Sequence, residues 1–204
     1  MKSILYTIGH SNHPIAAFID LRQQQGITAL GDVRSHPYSR YVPQYSRDPL
    51  KTTIANAGIT YVFLGKELGA RSDNPACYQQ GKVQYDRLAQ QPRFAEGLNR
   101  VRQGMERYCI ALMCSEKDPL DCHRAMLVAR RLFETGIPVQ HIHADGLLES
   151  HQELESRLLT VCNLPEGDMF KTREEFILEA YQIQGVRIAY QDETMAKVEP
   201  VVAL

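Results

Sequence analysis

Arg107-Tyr108-Cys109-Ile110-Ala111-Leu112-Met113-Cys114-Ser115-Glu116-Lys117-Asp118-Pro119-Leu120-Asp121-Cys122-His123-Arg124 is the stretch that decides the fold. Residues 107–113 have the length and apolarity of a buried strand. After a polar turn, Asp121 is placed to cap a helix over residues 122–135 that Gly136 stops, and residues 138–142 form the next strand. Strand, crossover helix and strand make a βαβ unit, which implies a parallel sheet covered on its faces.

The same alternation extends to both sides. Upstream, residues 3–8, 27–33 and 59–64 read as strands. The segments between them read as helices: one from His13-Pro14 to about Gln25, one from Asp48-Pro49 to Gly58, and one within 84–103. Downstream, 146–160 and 172–184 are expected to be helical, 164–171 a loop, and 186–190 a short strand. The expectation is a single α/β domain: a core over 1–145 with a mainly parallel sheet flanked by helices, and a C-terminal helical extension over 146–204 packed on it. The 204 residues, 44% of them hydrophobic, are ample for one core.

With 23 basic and 24 acidic residues the chain carries no global field to hold it on nucleic acid or anionic lipid. The N-terminal apolar run is too short for a signal peptide, and no run approaches the ~18 apolar residues of a membrane span, so a cytoplasmic protein without membrane contact is expected. Five cysteines at irregular spacing read as reduced thiols rather than a disulfide framework.

In a parallel sheet the ligand crevice lies outside the carboxyl ends of the strands. Three such ends are polar here. Strand one leads into Gly9-His10-Ser11-Asn12, strand two into Asp32-Val33-Arg34-Ser35, and strand four into Cys114-Ser115-Glu116. Cys114 and Cys122 are candidate nucleophiles or redox thiols. The free amides of a helix start, with His123 and Arg124, favour a Cys122 thiolate, whereas Asp121 opposes it. His123 and His10 are candidate proton carriers and Glu116 a candidate general base, against the alternative of ordinary loop residues. Ser11, Asn12, Arg34, Ser35, Arg40, Arg71 and Arg124 are candidate groups for gripping an anion, against the alternative that the arginines pair with carboxylates such as Asp32. Cys109 is expected in the core, and His141 and His143 as exposed polar neighbours.

Other chemistries compete. Cys114, Cys122 and His123, with His10 as a remote fourth group, offer metal ligands, but Cys-x7-Cys-His is not the closely paired spacing of a zinc motif. A thiol-phosphatase or sulfurtransferase loop needs an arginine a few residues after its nucleophile, and Arg124 stands ten after Cys114. The 34–47 loop interleaves Arg34, Arg40 and Arg47 with tyrosines, a pattern open to nucleic-acid stacking.

Together Tyr6-Thr7-Ile8-Gly9-His10-Ser11-Asn12, Asp32-Val33-Arg34-Ser35, Ser39-Arg40, Pro43-Gln44-Tyr45, Leu68-Gly69, Leu112-Met113-Cys114-Ser115-Glu116 and Cys122-His123-Arg124 resemble the domain of unknown function 488 family over roughly residues 1–145. The tail, with Glu179-Ala180-Tyr181-Gln182 and Arg187-Ile188-Ala189-Tyr190, is similar to the extension of its longer members. The resemblance implies a small cytosolic α/β protein with its site at these motif residues. One departure is Ala70, where such proteins often carry a second glycine. The expectation is a small enzyme, a thiol-dependent transferase, hydrolase or redox enzyme, acting on an anionic or nucleotide-like substrate in a composite Cys/His/Arg crevice. The alternatives are a nucleic-acid-binding module using the 34–47 loop and a metal-binding regulator. Cofactor and oligomeric state are left open by the residues alone.

Overall fold

In the computed structural model, which describes residues 3–197, the chain begins with β1 (Leu5–Gly9), α1 (Ile15–Gln23), β2 (Ala29–Asp32), α2 (Arg47–Asn56), β3 (Thr60–Phe63) and α3 (Gly65–Leu68). A small hairpin of β4 (Tyr78–Gln79) and β5 (Lys82–Val83) precedes α4 (Tyr85–Ala89), α5 (Pro92–Met105) and β6 (Ile110–Cys114). A π-helical segment, Arg124–Ala129, runs into α6 (Arg130–Phe133), followed by β7 (Val139–Ile142), β8 (Leu148–Ser150), α7 (His151–Cys162) and α8 (Arg173–Ile188). Six strands form one sheet in the order β3-β2-β6-β1-β7-β8, parallel throughout except for the antiparallel edge strand β8. This is the expected α/β class.

Strand β6 sits at the centre and is buried along its whole length, which is why it reads as an unbroken apolar run. Its side chains alternate. Ala111 and Met113 join Phe18 of α1 and Leu50 and Ile54 of α2 on one face. Ile110, Leu112 and Cys114 join α5 and the π–α6 helix on the other. Helix α5 meets the sheet with Phe94, Leu98, Val101 and Met105, a stripe at helical spacing whose members each contribute about 1.5–3 kcal/mol by burial. Helices α7 and α8 cover the outer side of the π segment, packing Leu154, Leu158, Phe176 and Ala180 on Ala125 and Met126.

Several local expectations are corrected. The helix anticipated over 84–103 is two, because Pro92 opens a new first turn after Gln91. Within 146–160, Leu148–Ser150 is a strand, and the helix starts only where Ser150 and Glu153 form a reciprocal capping box. The strand expected at 186–190 is the end of α8, which runs to Ile188 from a second capping box at Thr172 and Glu175. Beyond it, Tyr190 and Gln191 approach β5, with the Val83 amide donating to the Tyr190 carbonyl at 3.0 Å. Cys109 precedes β6 and is half-buried rather than a core strand residue. His141, expected exposed, is fully buried.

The helix after the thiol loop also differs from expectation. Asp118 caps a short 3-10 turn at Pro119–Asp121, accepting from the Leu120 amide, so chain reversal begins before Asp121. Cys122 is therefore not a first helical residue. Its backbone is extended (φ −137°, ψ 134°), and its carbonyl accepts from the amides of both Ala125 and Met126 at the start of the π turn. Such turns are uncommon and concentrate at functional positions.

Candidate functional site

Strand β6 delivers Cys114 to the carboxyl edge of the sheet beside the end of β1. There Gly9 is required by space: a Cβ would lie 1.8 Å from the Glu116 carbonyl oxygen. The 115–121 loop thus rests directly on the β1 backbone. Arg124 reaches back to it, with Nη1 donating to the Glu116 carbonyl at 2.8 Å and Nη2 to the Lys117 carbonyl at 3.2 Å. Arg157 holds the loop from the other side through paired hydrogen bonds to Asp118 and to Glu149, and keeps the Asp118 carboxyl below its usual range despite burial.

This bracing gathers Cys114, Cys122 and His123 so that both Sγ atoms and an imidazole nitrogen lie within 4.8 Å of one another. His123 Nε2 is 3.1 Å from the Val33 carbonyl and Nδ1 is 3.7 Å from Cys114 Sγ, so the ring is turned toward the sulfurs by the end of β2. Cys122 Sγ accepts from the Arg124 amide at 3.4 Å and donates to Glu116 Oε2 at 2.8 Å.

The electrostatics separate the two thiols. Burial raises Cys114 well above the usual thiol range, and the hydrogen bond and charge of Cys122 push it further. Burial acts on Cys122 in the same direction. It is outweighed by the hydrogen bond from Cys114 and by the Arg124 and His123 cations, which hold Cys122 well below that range. Burial lowers His123, yet Cys122 and Glu116 raise it overall. Glu116 is raised by burial and then by Cys122. The two sulfurs are thus pushed in opposite directions, Cys114 up and Cys122 down, and the pair titrates as a unit.

Cys114, Ser115, Glu116 and His123 line a cavity of about 220 Å³. The rest of the lining is Arg34, Ser35, His36, Ala70 and Arg71 from the loops after β2 and α3, with Tyr85, Asp121, Ile188 and Tyr190. Arg71 is exposed and its guanidinium lies 4.3 Å over the Tyr190 ring. Its amide donates to Ser35 Oγ at 3.0 Å. Among the described residues no carboxylate lies within ion-pairing distance of Arg71. The loop's departure at Ala70 is tolerated in the lining, while Gly69 is fixed by crowding: a Cβ there would meet Ser35 Oγ at 2.3 Å.

The other anticipated residues lie behind or away from this cavity. Arg34 touches the cavity but is bound to Asp32 through Nε (2.9 Å) and Nη2 (2.7 Å), to the Tyr45 carbonyl, and to His10 Nε2 at 3.1 Å. Tyr61 adds a 2.7 Å hydrogen bond to the same carboxylate. His10 stacks on Tyr45 at 4.2 Å, and burial, aided by the Arg34 charge, lowers its pKa to about 4. A neutral His10 accepts from Arg34 and positions it. Ser11 and Asn12 hydrogen-bond each other beyond it, at 3.4 Å. Arg40 is exposed on the 36–42 loop between Tyr38 and Tyr41, 71% and 96% exposed. Arg124 is fully buried as the brace described above. Tyr85 and Tyr190 were not among the anticipated residues. Tyr85 lies near the sulfurs, which together with burial raise its phenol.

Fold and site define an α/β protein with a cysteine–histidine cluster at the carboxyl edge of a parallel sheet. Over residues 14–131 the chain matches the family model described as Domain of unknown function DUF488, and it belongs to that family. Comparison with curated proteins and with solved structures gives no match. The match includes Cys114, Glu116, Cys122 and His123, and leaves Ile188 and Tyr190 outside. Among the described residues no helix is long and apolar enough to cross a membrane.

Proposed function

We propose that the protein is a cytoplasmic enzyme acting on a small anionic substrate held in this cavity, with the Cys114–Cys122–His123 cluster as the reactive centre and Glu116 as the proton carrier beside it. The observation that carries the reading is that one cavity is lined by a sulfur–imidazole–carboxylate cluster and by Arg71, an exposed guanidinium engaged in no ion pair among the described residues. Five free thiols support the cytoplasmic assignment. In this reading residues 1–145 supply the reactive groups. The extension over 146–204 closes the sheet edge with β8 and adds Ile188 and Tyr190 to the cavity wall.

The test is a titration of phosphate-, sulfate- and carboxylate-bearing small molecules followed by NMR, then turnover with those that bind. Cys114→Ser is expected to abolish turnover and leave binding in place, and Arg71→Ala to weaken binding about 10-fold or more, as loss of a charge-assisted hydrogen bond does. Absence of any anion binding, or equal binding by Arg71→Ala, would remove the reading.

A second reading is favoured by the exposure of Tyr38 and Tyr41 on either side of Arg40: a single-stranded nucleic acid stacking on this loop. It predicts retention of DNA or RNA in a filter-binding assay that falls with salt and with Tyr41→Ala.

A further inference from the structure

We infer that Cys114, Cys122 and His123 form a zinc(II) site that keeps one coordination position open toward the cavity. This deepens the function proposed above by assigning a metal to the same centre.

The geometry argues for it independently of the substrate. Zinc bound tetrahedrally at ~2.3 Å from sulfur and ~2.0 Å from nitrogen separates those two ligand atoms by about 3.6 Å. Cys114 Sγ and His123 Nδ1 are 3.7 Å apart. Cys122 Sγ falls within the same small volume, since all three ligand atoms lie within 4.8 Å of one another.

Two of the three ligands are held from behind as metal ligands are. His123 uses its other nitrogen on the Val33 carbonyl, which orients the ring and directs Nδ1 to the sulfurs. Cys122 Sγ receives the Arg124 amide, a donor suited to a thiolate. The linear spacing is unlike a zinc motif because the ligands come from two elements. The end of β6 supplies one, and the chain reversal before the π turn supplies two. Adjacent residues on a regular α-helix diverge by about 100°. Here the extended backbone of Cys122 frees its side chain from that constraint and lets it converge with His123.

Three protein ligands with the fourth side facing a cavity is the arrangement of catalytic rather than structural zinc, and soft thiolates favour zinc over magnesium or calcium. Cys114 and His123 line the cavity and Cys122 does not, so a metal held by the three would border the same cavity as Arg71 and Tyr85. When bound, the metal supplies a Lewis acid at the cavity floor.

The test is metal analysis by native mass spectrometry of the full chain, purified without chelator or histidine tag, followed by cobalt(II) titration of chelator-treated protein. The expected result is one zinc per chain. Cobalt should give a sulfur-to-cobalt charge-transfer band that saturates at one equivalent and is displaced by zinc. Cys114→Ser and Cys122→Ser should each weaken cobalt binding at least about tenfold, the scale on which even outer partners of a ligand act. Cys162→Ser, a thiol outside the cluster, should leave it unchanged. No bound zinc and no charge-transfer band in the wild-type protein overturns the inference, as does an undiminished band in Cys114→Ser; neither result depends on the folding of Cys122→Ser. If zinc is absent but Arg71→Ala still weakens anion binding and Cys114→Ser still abolishes turnover, the metal fails and the function stands. If zinc binds and no anion does, the reverse holds.

Discussion

Two histidine-bearing polar clusters lie on the same face of the sheet, one between β1 and β7 and the other at the end of β6, and they differ in their imidazoles: His123 of the second lines a cavity, whereas His141 and His151 of the first are enclosed in a hydrogen-bonded chain. The enclosed cluster is a chain of hydrogen bonds: Thr7 Oγ1 to His141 Nδ1 at 2.7 Å, His141 Nε2 to His151 Nδ1 at 3.0 Å, His151 Nε2 to the Tyr181 hydroxyl at 2.9 Å, and that hydroxyl to Glu155 at 3.2 Å. Every ring nitrogen in it has a partner. It ties β1 and β7 to α7 and α8, and it reads as architecture. In the open cluster two sulfurs and an imidazole converge at a cavity, the position proposed above for the metal. The two kinds of buried histidine differ in their partners: a sulfur beside a cavity for His123, a hydroxyl and a second imidazole inside the protein for His141.

The largest expected effect breaks the enclosed chain. His151→Ala leaves His141 Nε2 without its partner, takes from the Tyr181 hydroxyl one of its two hydrogen bonds and opens a cavity in a fully buried site; an orphaned group costs about 1–3 kcal/mol and the lost packing adds to it, so chemical denaturation should show a loss of several kcal/mol. A loss below ~1 kcal/mol would mean that the chain contributes nothing to holding α7 and α8.

The second effect is on pH. Burial drives both rings toward the neutral form: His141 lies well below the ordinary value near 6.5 and His151 is lowered to about 3, in each case with nearby positive charge assisting. Because the unfolded chain takes up these protons first, the stabilisation is complete above about pH 6.5 and is lost as pH falls below it, at about 1.4 kcal/mol per pH unit for each group. Urea midpoints measured between pH 7.5 and 5 should fall on acidification, and His141→Gln should flatten the slope. A midpoint independent of pH in this window would contradict the neutral pair.

The smallest effect belongs to the open side. Arg71→Ala touches an exposed side chain and should alter stability by no more than about 0.5 kcal/mol while it weakens anion binding. A large stability loss would make Arg71 part of the architecture as well, and erase the contrast.

The parallel core was legible because β1, β2, β3, β6 and β7 are apolar runs separated by helix-length amphipathic segments. β8 escaped because three half-exposed residues, Leu148–Ser150, carry almost no periodic signal and are recruited by pairing with β7. The 186–190 segment is rich in β-favouring residues, yet α8 continues through Gln184 and Gly185, whose buried positions keep it on the helix. Cys114, Glu116, Cys122 and His123 were visible as one reactive stretch, but the geometry that unites them was not. It depends on an extended Cys122 and a π turn, which side-chain patterning does not encode. Arg34 was a reasonable anion ligand from its strand-end position. Asp32, the last residue of β2 and two positions earlier, binds it first. Tyr85 and Tyr190 come from distant segments, and only the tertiary fold brings them to the thiols.

The cavity is assembled from parts that lie far apart in the chain. Its sulfur-bearing side lies within the family-matched region, whereas Ile188 and Tyr190 come from the tail, docked on the β4–β5 hairpin through the Val83–Tyr190 hydrogen bond. Under the function proposed above, exchanging the tail would alter what the cavity admits and leave the cysteine–histidine cluster in place, which makes the tail the place to begin redesigning it.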